Sequence, residues 1–153
     1  MIFNKDGKGS DELKSLIGFI YKSIDFANLK TYLVLAKREI IQIIGREVYA
    51  KALEFYKSSA YDTPADPDTD ALLRELVLRI QLPLSLIAYR KYAPGADLTH
   101  NDSGRQITVT ETVKPAFEWM IKRDNANITS LANEAIDFLL EFLDTPTWIH
   151  EEY

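Results

Sequence analysis

Between residues 29 and 44 the apolar side chains Leu29, Tyr32, Leu33, Ala36, Ile40, Ile43 and Ile44 fall at offsets 0, 3, 4, 7, 11, 14 and 15. That spacing draws one stripe down a helix of 3.6 residues per turn. Asp25 or Asn28 is placed to cap its start, and Gly45 to end or kink it. A second amphipathic stretch begins at Arg46, with Val48, Ala52, Phe55 and Tyr56 turned inward. Two prolines and several cap-type residues in "SSAYDTPADPDTD" then predict a loop over 58–68.

The same seven offsets recur at Leu73, Leu76, Val77, Ile80, Leu84, Ile87 and Ala88, within a helix predicted over 70–92. Leu78, Leu82, Leu86 and Tyr89 add a second apolar face. A helix apolar on two sides must be central or must face a partner subunit. Pro83 inside it removes a donor and crowds the Arg79 carbonyl, which predicts a kink, and "APGAD" predicts its end. Further on, Pro115 suits a first helical turn, and Phe117, Met120, Ile121, Ile128, Leu131, Ala132, Ala135, Phe138, Leu139 and Phe142 stay in phase across "RDNAN". One long helix to about Asp144, ended by Pro146, follows. Leu13, Leu16, Ile17 and Ile20 suit a short helix begun by Ser10, which leads towards "FIYKSIDF".

One stretch departs from helical periodicity. In "LTHNDSGRQITVT" the residues Asn101, Asp102, Ser103 and Gly104 favour a tight turn, and Ile107 and Val109 alternate with threonines. A β-hairpin over about 97–112 is expected. Two strands are marginal alone, so such a ribbon must lean on helices or on another chain. The sequence therefore predicts a mainly α fold: a single domain over 1–153, built as a bundle of four or five helices with one short hairpin, and with residues 1–12 extended or arm-like. The expected core is Leu33, Ile40, Ile44, Leu73, Leu76, Ile80, Leu84, Phe117, Ile121, Leu131, Phe138 and Phe142.

Composition narrows the chemistry. A length of 153 residues is enough to bury a sizeable core. The absence of cysteine removes disulfides and thiolate chemistry. A net charge of -5 with dispersed basic residues argues against direct nucleic-acid binding, and no apolar run approaches a membrane span. Bacterial cytoplasm or a virion is the expected location.

Candidate chemistry is sparse. "DPDTD" has the alternating Asp66, Asp68 and Asp70 of a calcium loop, but Ala71 and Val77 stand where glycine and glutamate are needed, so a loop and helix cap is the expected role. Glu134, Asp137, Glu141 and Asp144 form an acidic stripe that reads as a solvated face, with cation binding left open. Arg74, Arg79, Arg90 and Lys91 are candidates to pair with that stripe, in this or another chain. His100 and His150 have no nucleophile or ligand constellation around them, and there is no glycine-rich phosphate loop. No catalytic residue, metal site or cofactor is assigned, and the chain is expected not to be an enzyme.

The segments "MIFNKDGKGS", "LIGFIYKSIDF", "IIGREVYAKAL", "YRKYAPGADLTHNDSGRQ" and "FEWMIKRDN" together resemble an uncharacterised protein family of gut-bacterial prophages and mobile elements, over roughly residues 1–144. A helical bundle of this size with a ribbon also resembles the head–tail connector, or head-completion, proteins of tailed phages. The resemblance implies a homo-oligomer such as a ring, contacts with other virion proteins, and no catalysis. The expected contact residues are Thr99, His100, Asn101, Asp102, Arg105 and Ile107 in the hairpin, and Leu78, Leu82 and Leu86 on the two-faced helix. The alternative is a small cytoplasmic helical module or regulator that captures a partner helix.

Overall fold

The structure, a computed structural model, describes residues 1–18, 25–96, 98–101, 104–107 and 118–144. A short 3-10 turn at Lys5–Gly7 precedes α1 (Gly9–Ile17), α2 (Phe26–Ile44), α3 (Arg46–Lys57), the single turn α4 (Ser59–Asp62) and α5 (Pro67–Ala96). Two short strands, β1 (Leu98–Asn101) and β2 (Gly104–Ile107), then lead to α6 (Glu118–Leu143). The described residues are mainly α-helical.

Helix α5 is the centre of the bundle, with α1, α2, α3, α4 and α6 all packed on it. Its middle is buried on nearly every side: Leu76, Val77, Ile80, Leu84, Leu86 and Ala88 are core residues, and Gln81 and Ser85 are buried with them. Of the two roles open to a helix with two apolar faces, the central one is realised within this chain. Leu86 is thereby corrected as a contact candidate, because it is only 2 % exposed and packed by its own chain. The helix also runs unbroken through Pro83 and Pro94. It ends at Ala96, within the "APGAD" stretch expected to stop it, and packing around its buried middle compensates for the bond that Pro83 removes.

The two-proline segment is partly helical. Asp66 Oδ1 accepts from the Asp68 N–H at 3.2 Å, and Asp70 Oδ2 accepts from the N–H groups of Ala65 and Asp66 at 2.8 and 2.9 Å. Pro67 takes the first position of α5, where a missing N–H is harmless. The Asp66 and Asp70 carboxylates are thus helix-capping groups. Asp25 caps α2 by accepting from Ala27 N–H at 3.0 Å. Ser10 serves the same helix, its hydroxyl accepting from Phe26 N–H at 2.9 Å. Gly9 lets the two helices meet, because a Cβ there would lie 2.6 Å from the Phe26 ring.

The expected N-terminal arm is instead folded in. Ile2 and Phe3 are buried, and Glu12 gathers the segment. Its carboxylate accepts from Asn4 N–H at 2.8 Å, from the Tyr56 hydroxyl at 2.8 and 2.9 Å, and from Gln81 Nε2 at 3.3 Å. Gln81 Nε2 also donates to the Ile2 carbonyl at 2.7 Å, and Lys5 N–H donates to the Tyr56 hydroxyl at 2.8 Å. Apolar anchors and paired polar groups together outweigh the entropy of a free arm.

Strands β1 and β2 pair antiparallel, with Leu98 opposite Ile107 and Asn101 opposite Gly104. The ladder is shorter than the stretch 97–112. Asp102 and residues 108–112 lie outside the described residues.

Two residues expected inside are outside. Ile43 is 42 % exposed and Phe138 is 54 % exposed. The apolar stripes of α2 and α6 are wider than the faces their packed neighbours cover. Ile44, Leu73 and Leu131 are only partly buried. Phe117 lies outside the described residues, as does the side chain of Ile121.

Candidate functional site

Helices α2, α5 and α6 enclose a groove of about 440 Å3. Its apolar lining is Ile43 from α2, Ile87 and Pro94 from α5, and Ala132 and Ile136 from α6. Its polar lining is Glu39, Arg90, Lys91, Thr129 and Asn133. Arg90 Nε donates to Thr129 Oγ1 at 2.8 Å, and Thr129 Oγ1 in turn donates to the Asn125 carbonyl at 2.8 Å. Lys91 Nζ lies 3.0 Å from Glu39 Oε1, across α5 and α2. These contacts hold the three walls together while leaving an apolar floor and a rim with one more positive than negative group.

The helix order that makes the groove follows from pairings further along. Arg79 Nη1 donates to the Phe138 carbonyl at 2.9 Å, and its guanidinium sits 5.3 Å from the Phe142 ring centroid. Arg79 pairing with 138 and Arg90 with 129 shows that α5 and α6 run antiparallel. Tyr32 and Tyr92 meet edge to face at 5.8 Å, fixing α2 against the end of α5.

The basic residues of α5 pair elsewhere than on the acidic stripe. Arg74 Nη1 donates to the Tyr61 carbonyl at 2.7 Å, and Arg79 pairs with Glu75 one turn away at 2.8 Å. Glu134, Asp137, Glu141 and Asp144 are all exposed along the outer side of α6. Among the described residues no group of three or more metal-ligating side chains converges.

Of the expected contact residues, Leu78 is exposed at 42 %, Leu82 is partly buried against the core and Leu86 is internal. Thr99, His100, Asn101, Arg105 and Ile107 belong to the paired strands by backbone, and their side chains lie outside the described set. The hairpin and the α5 residues do not form one described site. Sequence periodicity missed the groove, because its walls come from three segments far apart in the chain. It assigned Ile43 to the core, and the one available signal was the pair Arg90 and Lys91 interrupting an apolar helix.

Large apolar side chains also stand outside the core at Val34, Leu35, Phe138 and Leu140. Leu35, Glu39 and Ile43 repeat every four residues and so share one face of α2. Among the described residues, no helix is long and apolar enough to cross a membrane.

Fold and groove together define a mainly helical bundle with a groove that is apolar inside and charged at its margins. The chain belongs to a family of unknown function (DUF6712), whose model matches residues 40–153. The match takes in the last turn of α2, all of α3 to α6 and both strands. No curated protein and no solved structure matches the chain.

Proposed function

We propose that this chain is a non-enzymatic, phage-derived assembly subunit, resembling a head–tail connector, that contacts copies of itself and other virion proteins. The observation that carries this reading is the apolar surface left open on α2, where the neighbouring Val34 and Leu35 are 47 % and 52 % exposed. Apolar side chains grouped on a surface favour a protein partner over water. The finer parts of the reading, a ring and a contact made by the hairpin, rest on the likeness to connector proteins and on the marginal stability of an isolated two-stranded ribbon.

Mass in solution tests it. The expected result is a discrete oligomer, or one that grows with concentration, and its loss when residues 99–107 are replaced by a short Gly-Ser linker while the melting temperature stays near the parent value. A strict monomer that binds an amphipathic helix would support the alternative of a small helical binding module. Unfolding on replacement would make the ribbon an internal brace.

A further inference from the structure

Two exposed apolar faces of this molecule carry opposite charges. On α2, Val34 and its neighbour Leu35 are exposed, and Val34 has Lys30 four residues before it, Lys37 three after and Arg38 four after. Residues three and four apart are neighbours on a helix surface, so three cations ring an apolar centre. Lys30 and Arg38 are exposed and Lys37 is half-buried. On α6, the exposed Phe138 stands between Glu134, four residues before it, and Glu141, three after. Asp137 lies one turn from each of those glutamates and extends the acidic rim.

Among the described residues, the ion pairs are made elsewhere: Lys5 with Asp62, Arg79 with Glu75 and Lys91 with Glu39. The counter-charges nearest the two faces, Glu39 on α2 and Arg79 beside the Phe138 carbonyl, are therefore already engaged. The six charges around Val34 and Phe138 have no partner among the described residues. Nor do the faces meet within one chain, since α2 and α6 both pack on α5 and both faces are open to solvent.

Their dimensions match. Lys30 and Arg38 are eight residues apart and Glu134 and Glu141 seven, roughly 12 and 10.5 Å along an α-helix. With Val34 at the middle of one face and Phe138 at the middle of the other, opposite charges fall together at both ends, whichever way the helices run. Pairing α2 with α2, or α6 with α6, would set like charges against each other, which disfavours both.

We infer that the α2 face of one copy of this chain docks on the α6 face of another, with Val34 and Leu35 against Phe138 and with Lys30, Lys37 and Arg38 set against Glu134, Asp137 and Glu141. This inference rests on the assembly reading and names the surfaces through which copies meet. The contact joins unlike faces, so copies close either as a reciprocal pair or as a ring. Because it joins folded copies, it adds stability only at concentrations where they associate.

Charge reversal on one face and then on both tests it, with mass followed by sedimentation over a range of protein concentrations. Lys30→Glu with Arg38→Glu makes both faces acidic, and Glu134→Lys with Glu141→Lys makes both basic. Each double variant is expected to associate at least about tenfold more weakly than the parent, as two ion pairs turned into two repulsions require. A chain carrying all four substitutions again has opposite charges on its two faces and keeps the parent's net charge. It is expected to recover most of the lost association. An equal mixture of the two double variants is expected to recover it too, since the acidic α2 of one meets the basic α6 of the other. All four sites are exposed, so melting temperatures are expected to stay near the parent value. Should a reversal unfold the chain, Arg38→Gln and Glu134→Gln take its place, each expected to weaken association in part. A parent that is monomeric at every concentration overturns the assembly reading and this contact with it. A parent that associates while either double variant matches it overturns the contact alone. So does a loss that neither the fourfold variant nor the mixture recovers.

Discussion

Tyr56 shows how a single hydroxyl organises one end of this molecule. It donates to Glu12, accepts from Lys5 N–H, and is 1 % exposed. Tyr56→Phe would leave the Lys5 N–H without its acceptor and take one of three donors from the Glu12 carboxylate. A loss of about 1–3 kcal/mol in urea unfolding is expected, together with faster hydrogen exchange at Lys5. Tyr49 is the contrasting case: among the described residues its buried hydroxyl makes no hydrogen bond of good geometry. Burial pushes it up to about 12, opposed in part by the backbone of Ile2, and burial also pushes Tyr56 up. An unfolded tyrosine titrates near 10, so above that pH the unfolded chain loses protons the folded chain keeps. The stability these two groups contribute is complete below pH about 10 and drains away as pH rises towards about 12. Urea midpoints measured across that window should fall, and Tyr49→Phe should flatten the fall without lowering stability near neutrality.

At the scale of elements, α5 decides which apolar residues become core. Ile80 is fully buried at its centre, whereas Phe138 on α6 lies on the flank that α5 does not cover. Ile80→Ala should cost about 2–5 kcal/mol in chemical unfolding, and Phe138→Ala less than about 1 kcal/mol. Comparable losses at the two positions would mean that the flank of α6 is covered in solution. Both residues sit in phase on their own helices, and periodicity could not separate them. Periodicity reports a stripe's direction but not the width its neighbour covers. The caps were easier to read: Asp25 and the aspartates before α5 do locally what their spacing implied, because a cap needs only its own first turn.

For the whole molecule, the assembly reading concerns the apolar side chains left open on α2 together with the hairpin, and solution mass decides it. A strict monomer at all concentrations would remove that reading.

By itself, the sequence determined the mainly α character, the long helices α2, α5 and α6, and the caps that start α2 and α5. All of these are set by interactions within a few residues of chain, which spacing records directly. Only the tertiary structure decided that α5 is the central helix and that Leu86 is internal while Leu78 is not. The same holds for the residues meant as an arm: their burial depends on Glu12, Tyr56 and Gln81, positions up to 79 residues away from Ile2. The groove is the clearest case. Its walls meet because α5 runs antiparallel to α6 beside α2, and a surface shared by three distant segments leaves no periodic trace in any one of them.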